Sequence, residues 1–444
     1  MTGAVGGAAA TPGEEPLLQQ RPFRMLTFSR LTSRIAFNAL NFALVLLIVD
    51  ETGKAFMSSL LVLALIVPAT VVGIASGVVA DAFPKRPIIF LADIARAAIC
   101  LLIAFEDQSV ALYFAAAIVL SGVAQFASSA EASVLPAIVA RDRLARANAI
   151  GHAVTGIGQI GGFVILAPVA LRVFESPEAL FASAAVLFAI AAVQAVMIGR
   201  VVKPERLELG GEVRHPWWLA GLREIQRDAQ VARATTEGIL IDASLIIVGG
   251  LIPIYIQSTL GLPVEIGVLV LTPGAIGVIV GLRLAGYLSH RVSHAVLSSS
   301  GFVGFVAFLM VLTFVRPFSE FLGGYGVLAW LNSVDIGSFD GAGVIAMMTV
   351  IPLGFCYALV AVAAQTVIND RVPLHLQGRV LATKSALGAL ASSIPVLVAG
   401  AMTDLVGVTA VMATLALCVG AAAFANLKGP RKHMMRAVGV GQGQ

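Results

Sequence analysis

The sequence predicts an all-α polytopic membrane protein, with twelve transmembrane helices in two pseudo-symmetric six-helix bundles. Of the 444 residues, 58% are hydrophobic and only 12% are charged, which is about half the charged fraction of a soluble protein. The mean hydropathy is +0.94. Because a membrane-spanning helix needs about 20 apolar residues, the chain is long enough for twelve spans with short loops. These values exclude a soluble enzyme, a secreted disulfide scaffold and a disordered regulator.

Uncharged or nearly uncharged runs separated by charged loops mark the predicted spans, six in each half of the chain. We place them at 24–49, 56–80, 87–105, 109–139, 144–171 and 178–200, and then at 231–257, 264–289, 295–315, 342–369, 379–403 and 407–427. A shift of about 208 residues brings the end of helix 1 onto the end of helix 7, which favours the internal duplication of carriers built from two related halves.

The predicted domain organisation follows from these spans. It comprises a disordered cytoplasmic tail at 1–23, an N-terminal bundle at 24–200, a linker at 201–230, a C-terminal bundle at 231–427 and a second cytoplasmic tail at 428–444. The linker is the most charged stretch of the chain and contains two adjacent tryptophans. This pattern is typical of an amphipathic helix on the membrane surface.

The distribution of basic residues predicts the orientation. With the N-terminus in the cytoplasm, the external loops contain only Lys54, Arg172 and Arg316. The positive-inside rule therefore predicts two cytoplasmic termini in a cell membrane, either the plasma membrane or an inner membrane. This asymmetry explains the isoelectric point near 9.1, so nucleic acid is not needed as a partner.

The sequence carries no pattern that predicts an enzyme, a cofactor site or a metal site. The segment Gly156–Gly161 matches a glycine-rich nucleotide-binding pattern, but it lies within an apolar helix with no strand before it. No phosphate-binding loop is present, so we expect no direct use of ATP. The cysteines Cys100, Cys356 and Cys418 fall in separate apolar runs, which argues against a disulfide framework or a metal centre.

The loop between helices 2 and 3 and the start of helix 3 form the most specific local pattern. Its residues are Gly77, Asp81, Lys85, Arg86, Asp93 and Arg96. We expect Gly77 to allow a close helix approach and Asp81 to pair with a basic side chain or a helix dipole. Asp93 and Arg96 are three residues apart on one helix face, so they can neutralise each other within the membrane.

This pattern carries a family resemblance. Residues 77–86, read as Gly-x-x-x-Asp-x-x-x-(Lys/Arg)-Arg, resemble the signature loop of the major facilitator superfamily. Asp93-x-x-Arg96, the segment Ala130–Pro136 and the segment Val372–Val380 resemble its exporter branch, which contains enterobactin and macrolide efflux proteins. The resemblance implies a transporter with a central cavity, a cytoplasmic gate formed by the loop residues, and efflux by antiport.

Asp242 in helix 7 is the candidate for proton coupling. It stands among apolar residues, about ten residues or roughly 15 Å from the cytoplasmic end of its helix. An unpaired carboxylate at that depth should be protonated or face a cation. The alternative is a permanent structural pair with Arg34, which occupies the equivalent position on helix 1. Glu131, nearer the cytoplasmic rim, is expected to form a structural ion pair.

Amide side chains within other helices are candidates for lining the cavity and binding substrate. They are Asn38, Asn41, Gln125, Gln257 and Gln365. Such amides also join neighbouring helices in membrane proteins, so both roles remain open for each of them.

Together these patterns predict a monomeric secondary active transporter that exports small amphipathic compounds by alternating access, driven by proton influx. The cargo would be a drug or a siderophore-like metabolite, and the other partners would be protons and the lipid bilayer. A lipid or lysolipid translocator and a non-transporting membrane sensor are the alternatives. Residues 316–341 predict either an external lid or an interfacial hairpin.

Overall fold

The computed structural model describes residues 16–106, 109–140, 143–173, 176–199, 217–288, 291–323 and 340–428, and every regular element in these ranges is helical. The α-helices are α1 (Arg21–Thr52), α2 (Ala55–Ala82), α3 (Lys85–Phe105), α4 (Val110–Ile138), α5 (Leu144–Ile160), α6 (Pro177–Val196), α7 (Trp217–Arg227), α8 (Ala229–Tyr255), α9 (Val264–Leu288), α10 (His294–Thr313), α11 (Val315–Gly323), α12 (Gly341–Arg371), α13 (Leu374–Val406) and α14 (Val408–Lys428). Within the described ranges, 11 helices are long and apolar enough to cross a membrane. The predicted membrane-helical fold class is therefore confirmed.

The remaining predicted span, 144–171, is a helix with an irregular second half. After α5, the chain continues through π-helical turns at Gly161–Leu166 and Val169–Val173. At the start of these turns, a Cβ on Gly162 would lie 2.6 Å from the carbonyl oxygen of Ile35 and 2.7 Å from the nitrogen of Ala39. Only glycine therefore allows this helix to pass so close to the backbone of α1.

Packing divides the chain into two units. Unit 1 contains the described residues of Met1–Leu44 and Pro68–Gly210, and unit 2 those of Val45–Val67 and Gly211–Gln444. Helices α1 and α2 therefore change unit along their length. The start of α2 is held within unit 2 because the Asp404 carboxylate accepts hydrogen bonds from the backbone N–H groups of Ala55 at 2.8 Å and Phe56 at 3.0 Å.

Unit 1 is packed through small side chains. Helix α6 buries a run of alanines, among them Ala184, Ala191 and Ala195. The Ser29 hydroxyl donates to the Ala191 carbonyl at 2.9 Å, so α1 is tied to α6 by a buried hydrogen bond. Small residues allow helices to approach closely where lipid gives no hydrophobic driving force between them.

Unit 2 contains an equally close helix crossing between α9 and α12. A Cβ on Gly277 would lie 1.9 Å from the carbonyl oxygen of Ile351, and a Cβ on Gly354 would lie 2.4 Å from the carbonyl oxygen of Gly274. The two backbones are therefore in direct contact. Elsewhere in the unit, the buried Tyr255 hydroxyl donates to the Leu312 carbonyl at 2.6 Å and joins α8 to α10.

The described part of the predicted linker is helix α7, and it packs against protein. A Cβ on Gly221 would lie 2.1 Å from Thr383 Oγ1 and 2.6 Å from the Arg379 carbonyl oxygen, so α7 contacts α13. Ile225 is buried in an apolar cluster with residues of α8, α12 and α13. The apolar face of α7 thus packs on other helices of unit 2 at these positions, and its location on the membrane surface stays a prediction. Residues 200–216 lie outside the described ranges, as do the tails 1–15 and 429–444.

Candidate functional site

A polar cluster lies at the midpoint of α8 and joins three helices of unit 2. Asp242 Oδ2 lies 3.2 Å from Lys384 Nζ on α13. The Tyr357 hydroxyl on α12 donates a hydrogen bond to Asp242 Oδ1 at 3.1 Å. The side chain of Asp242 is 38% exposed and that of Lys384 is 15% exposed. The carboxylate is therefore the more accessible partner of the pair.

A glycine makes room for this ion pair. Gly238 lies one turn before Asp242 on α8, and a Cβ there would lie 2.6 Å from Lys384 Cε and 2.7 Å from Lys384 Nζ. The lysine thus runs along α8 in the space that the missing side chain leaves. Its apolar stem is covered while its ammonium reaches the carboxylate.

Asp242 faces a cation, which is one of the two states expected of a carboxylate at that depth. Its cation is Lys384 of the same unit, in place of the Arg34 considered from the sequence. Sequence reasoning missed Lys384 and Tyr357. Lys384 falls inside the predicted span 379–403, but the positive-inside rule assigns a lysine near the end of a span to the basic cytoplasmic side. Its position inside the span was the signal that could have identified it, because an ammonium in the membrane needs a partner.

An apolar cavity of about 200 Å³ lies within unit 2 beside this cluster. Side chains of α8, α9, α10, α12 and α14 form its walls, including Leu245, Leu271, Phe305 and Leu353. Tyr357 belongs to both features, since its ring lines the cavity while its hydroxyl binds Asp242. The site therefore combines a small apolar volume with one accessible carboxylate.

The predicted gate residues at the end of α2 are described only in part. The Lys85 ammonium donates to the carbonyls of Ala80 and of Phe83, the latter at 3.3 Å, and so caps the end of α2. Arg86 is half-buried in the first turn of α3, and the side chain of Asp81 lies outside the described structure. The close helix approach expected at Gly77 is wrong, because no described atom lies within 4 Å of a Cβ built there.

The pairing of Asp93 with Arg96 is confirmed, and it is fully enclosed in unit 1. The Arg96 guanidinium donates to the Asp93 carboxylate, and the two side chains are 3% and 0% exposed. The guanidinium also lies 4.5 Å from the ring centroid of Phe188 on α6, and the Ser33 hydroxyl of α1 donates to Asp93 at 3.3 Å. The pair therefore connects α3 to α1 and α6.

Glu131 forms the ion pair expected of it. Its carboxylate lies 2.9 Å from Arg30 Nε, which joins α4 to α1 within unit 1. Both this ion pair and the Asp93–Arg96 pair therefore contribute to the packing of the helices of unit 1.

The candidate amides do not form one cluster with Asp242 in the described contacts of unit 2. Gln365 is half-buried and donates to the Asn369 side chain at 3.0 Å. Gln257 is exposed in the turn that follows α8. Neither side chain contacts Asp242, Tyr357 or Lys384 in this part of the chain.

The three candidate amides of unit 1 lie on α1 and α4. Asn38 donates to the Arg34 carbonyl of its own helix at 2.8 Å, and Asn41 is half-buried on the same helix. Gln125 is half-buried on α4, with its side-chain oxygen 3.8 Å from a Cβ built on Gly73. Their roles in substrate binding stay predictions.

The described residues contain no group of three or more His, Cys, Asp or Glu side chains that could hold a metal ion. His294 Nε2 lies 3.8 Å from Asp370 Oδ2, at the start of α10 and the end of α12.

Comparison with solved structures identifies the fold. A POT family transporter, solved in complex with a thioalcohol-conjugated peptide, has a TM-score of 0.71 at 11% identity, with 92% of this chain and 95% of that chain covered. A bacterial homolog of the human lysosomal transporter Spinster has a TM-score of 0.70 at 12% identity, with 94% and 98% covered. The nucleoside transporter NupG has a TM-score of 0.63 at 14% identity, with 91% and 98% covered. At these identities the similarity shows the fold alone.

The sequence comparisons give the family. No curated protein matches the chain. The Major Facilitator Superfamily pattern matches residues 26–353, which is most of the chain and includes the Asp242 helix. With this match, and with a membrane-helical fold shared with transporters, the chain belongs to the major facilitator superfamily.

Proposed function

We propose that this protein is a proton-coupled exporter of small amphipathic compounds and that Asp242 is its proton-binding residue. The observation that carries the proposal is the Asp242–Lys384 ion pair, which lies at the middle of a membrane-spanning helix and has an accessible carboxylate. Intramembrane carboxylates are costly and mark ion or proton pathways when they face an accessible space.

The chemistry of the pair provides a mechanism of exchange. When Asp242 is ionised, its charge compensates that of Lys384 at 3.2 Å. A proton on the carboxylate removes that compensation, and a cationic group on a ligand competes with the proton for the same oxygens. One carboxylate cannot hold both at once. Binding of cargo and binding of a proton therefore exclude each other, which is the condition that antiport requires.

The loop that follows α2 is proposed as the cytoplasmic gate. Lys85 already caps the last carbonyls of α2, and we expect the carboxylate of the neighbouring Asp81 to add a charge interaction that exists in one gate state only. Asp81→Asn should therefore slow transport and leave membrane insertion and cargo binding intact. Transport by Asp81→Asn vesicles at the wild-type rate would remove this role.

The test of the proposed function is uphill export. Cells that express the protein should accumulate less of a lipophilic fluorescent amine than cells without it, and a proton uncoupler should abolish the difference. Asp242→Asn should lose export against a gradient. Asp370→Asn, an identical change at an exposed carboxylate outside the cluster, should retain it.

Three results would contradict this proposal. Export that continues in the presence of the uncoupler would exclude proton coupling. Export against a gradient by Asp242→Asn at the wild-type level would exclude Asp242 as the proton-binding residue. Movement of a fluorescent lysolipid between leaflets, with no export of the amine, would favour the lipid translocator.

A further inference from the structure

We propose that the apolar cavity beside Asp242 is a binding subsite for an aromatic ring, or for a compact branched apolar group, on a cationic amphiphile. The cation of that ligand would meet the Asp242 carboxylate. The transport role of the subsite rests on the proposed function, but its occupancy is measurable without transport.

The size of the cavity defines what it can hold. Its volume is about 200 Å³, whereas an engineered apolar cavity of about 150 Å³ binds benzene. Pockets for complete drug-sized ligands have volumes of about 300–1,000 Å³. The cavity therefore accommodates one ring with a few further carbon atoms, and the rest of the ligand must lie outside it. A long acyl chain does not fit.

The walls of the cavity are fixed on two sides. Gly274 and Gly354 belong to its lining, and they lie at the crossing where the α9 and α12 backbones already touch. On another side, Tyr255 lines the cavity and is hydrogen-bonded through its hydroxyl to the Leu312 carbonyl. The α9–α12 contact and the Tyr255–Leu312 hydrogen bond thus hold two sides of the cavity in place.

The position of Asp242 defines the charge of the ligand. Leu245 lines the cavity and follows Asp242 by three residues on α8, so both lie on one face of the helix. Of the two charged residues in the cluster, Asp242 has a side chain that is 38% exposed and Lys384 one that is only 15% exposed. A ligand extending from the cavity therefore reaches a negative charge first, which selects a cation.

Tyr357 links occupancy of the cavity to the carboxylate. A ring in the cavity would contact the Tyr357 ring, whose hydroxyl donates to Asp242 at 3.1 Å. Displacement of that hydroxyl would remove a hydrogen bond from the carboxylate at the moment when the cation of the ligand arrives. Tyr357 is thus a positioning residue for Asp242 as well as part of the wall.

The experiment measures equilibrium binding of radiolabelled tetraphenylphosphonium to the full-length protein in lipid nanodiscs. This probe combines phenyl rings with a charge that does not titrate, so any pH dependence belongs to the protein. Tetraphenylborate, with a similar shape and the opposite charge, is the matched probe. We expect the cation to bind at least about tenfold more tightly than the anion, and Asp242→Asn to remove that preference.

Two matched substitutions test the cavity itself. Leu271→Trp places a large ring in the cavity, and Leu269→Trp makes the same change at an exposed position two residues away on the same helix. We expect Leu271→Trp to weaken binding at least about tenfold and Leu269→Trp to bind like the wild type. If Leu271→Trp does not fold, Leu245→Trp serves instead, because Leu245 lines the cavity but is 44% exposed.

The Tyr357→Phe variant separates the wall from the hydrogen bond. It keeps the ring and removes the hydroxyl, so we expect phosphonium binding to persist with a changed pH dependence. An unchanged pH profile would overturn the positioning role of Tyr357.

The outcomes distinguish the subsite from the proposed function. Wild-type affinity in the cavity-filled variant, or equal affinity for the two probes, would overturn the subsite. Binding that depends on both the cavity and Asp242, without uphill export, would support the subsite and overturn the proposed function. If the cavity-filled variant still exports the phosphonium ion uphill at the full rate, the proposed function is supported and the subsite is overturned.

Discussion

The two units each contain an intramembrane Asp–cation pair, and the pairs differ in access. In unit 1, Asp93 and Arg96 are sealed by Phe188 and Ser33, with almost no exposed surface. In unit 2, Asp242 and Lys384 leave the carboxylate partly open, beside an apolar cavity. A sealed pair has no route by which to exchange its partner, so it acts as packing. An open pair can exchange its partner for a proton or a ligand.

Helix α8 carries one sealed carboxylate and one open carboxylate, which shows that the surroundings of an acidic side chain matter more than its residue type. Glu237 is buried and pairs with Arg233 at 2.8 Å, and it accepts a hydrogen bond from Ser298 of α10 at 2.7 Å. This arrangement resembles the sealed pair of unit 1. Asp242 follows little more than one turn later on the same helix and is open. Unit 2 thus has a structural carboxylate and an accessible one side by side.

The largest expected effect comes from breaking the sealed pair. Arg96→Ala leaves Asp93 buried without its cation, which costs about 3 kcal/mol. We expect a severe loss of folded protein, measured as the monodisperse peak on size-exclusion chromatography in detergent. Adding Asp93→Asn should partly restore the yield, because the uncompensated charge is removed.

The open pair provides the contrast for this prediction. Lys384→Ala removes the cation from a carboxylate whose side chain is already 38% exposed, so we expect the yield to stay within about twofold of wild type. Equal losses in Arg96→Ala and Lys384→Ala would contradict the distinction between sealed and open pairs. A double mutant of the sealed pair that is no better than Arg96→Ala would show that the two side chains are not coupled.

A smaller effect on stability, but a specific effect on transport, is expected from Gly238→Ala. The new methyl group would meet the Cε and Nζ atoms of Lys384, which are the mobile end of a flexible side chain. The lysine should therefore move away from Asp242 while the fold persists. We expect a transport rate at least about tenfold lower with a near-normal melting temperature.

Gly249→Ala is the matched control, because it lies on the same helix and its Cβ would have no described atom within 4 Å. It should leave both transport and melting temperature unchanged. If Gly238→Ala unfolds the protein and spares the transport of the folded fraction, the Asp242–Lys384 pair belongs with the structural pairs.

The smallest expected effect concerns an exposed ion pair outside the membrane. Partial burial raises the pKa of Asp228, but hydrogen bonds from Arg371 and from the Gln230 backbone outweigh it, so its pKa lies below the usual range. Asp228→Asn keeps a residue that can cap α8 and loses only the charge. We expect a cost of about 0.5 kcal/mol, seen as a small fall in melting temperature at neutral pH.

The pH dependence of that cost has a definite sign. Because the folded-state pKa is depressed, the contribution of Asp228 is present above the pKa of the unfolded chain, near about 4. It is lost as the pH falls through the lower folded-state value. The difference between wild type and Asp228→Asn should therefore vanish in acid, and a difference that grows in acid would contradict the assignment.

The sequence predicts features that depend on residues close together in the chain, and it does not predict contacts between residues far apart in the chain. The spans were predictable because a backbone in lipid must satisfy its hydrogen bonds within a helix, which leaves long apolar runs in the sequence. The Asp93–Arg96 pair was predictable because two side chains that are three residues apart in a helix lie on the same face. The partner of Asp242 was not, because Lys384 is distant in sequence and reaches it only through the space at Gly238.

Other features depend on packing between helices, which local sequence patterns do not predict. Nothing in the sequence of α1 indicates that its packing changes from unit 1 to unit 2 after Leu44. The cavity is likewise a property of five helices together. At Gly77 the pattern predicted close packing that the described structure does not contain, since a glycine alone does not specify a neighbour.

The central claim is that Asp242 exchanges a proton for cargo, and proton release on ligand binding tests it most directly. Tetraphenylphosphonium is added to purified protein in weakly buffered detergent between about pH 6 and about pH 8, and released protons are counted with a pH indicator. We expect wild type to release protons in a pH-dependent amount and Asp242→Asn to bind the probe more weakly and release none. Equal release by the two proteins at matched occupancy would show that Asp242 does not carry the proton.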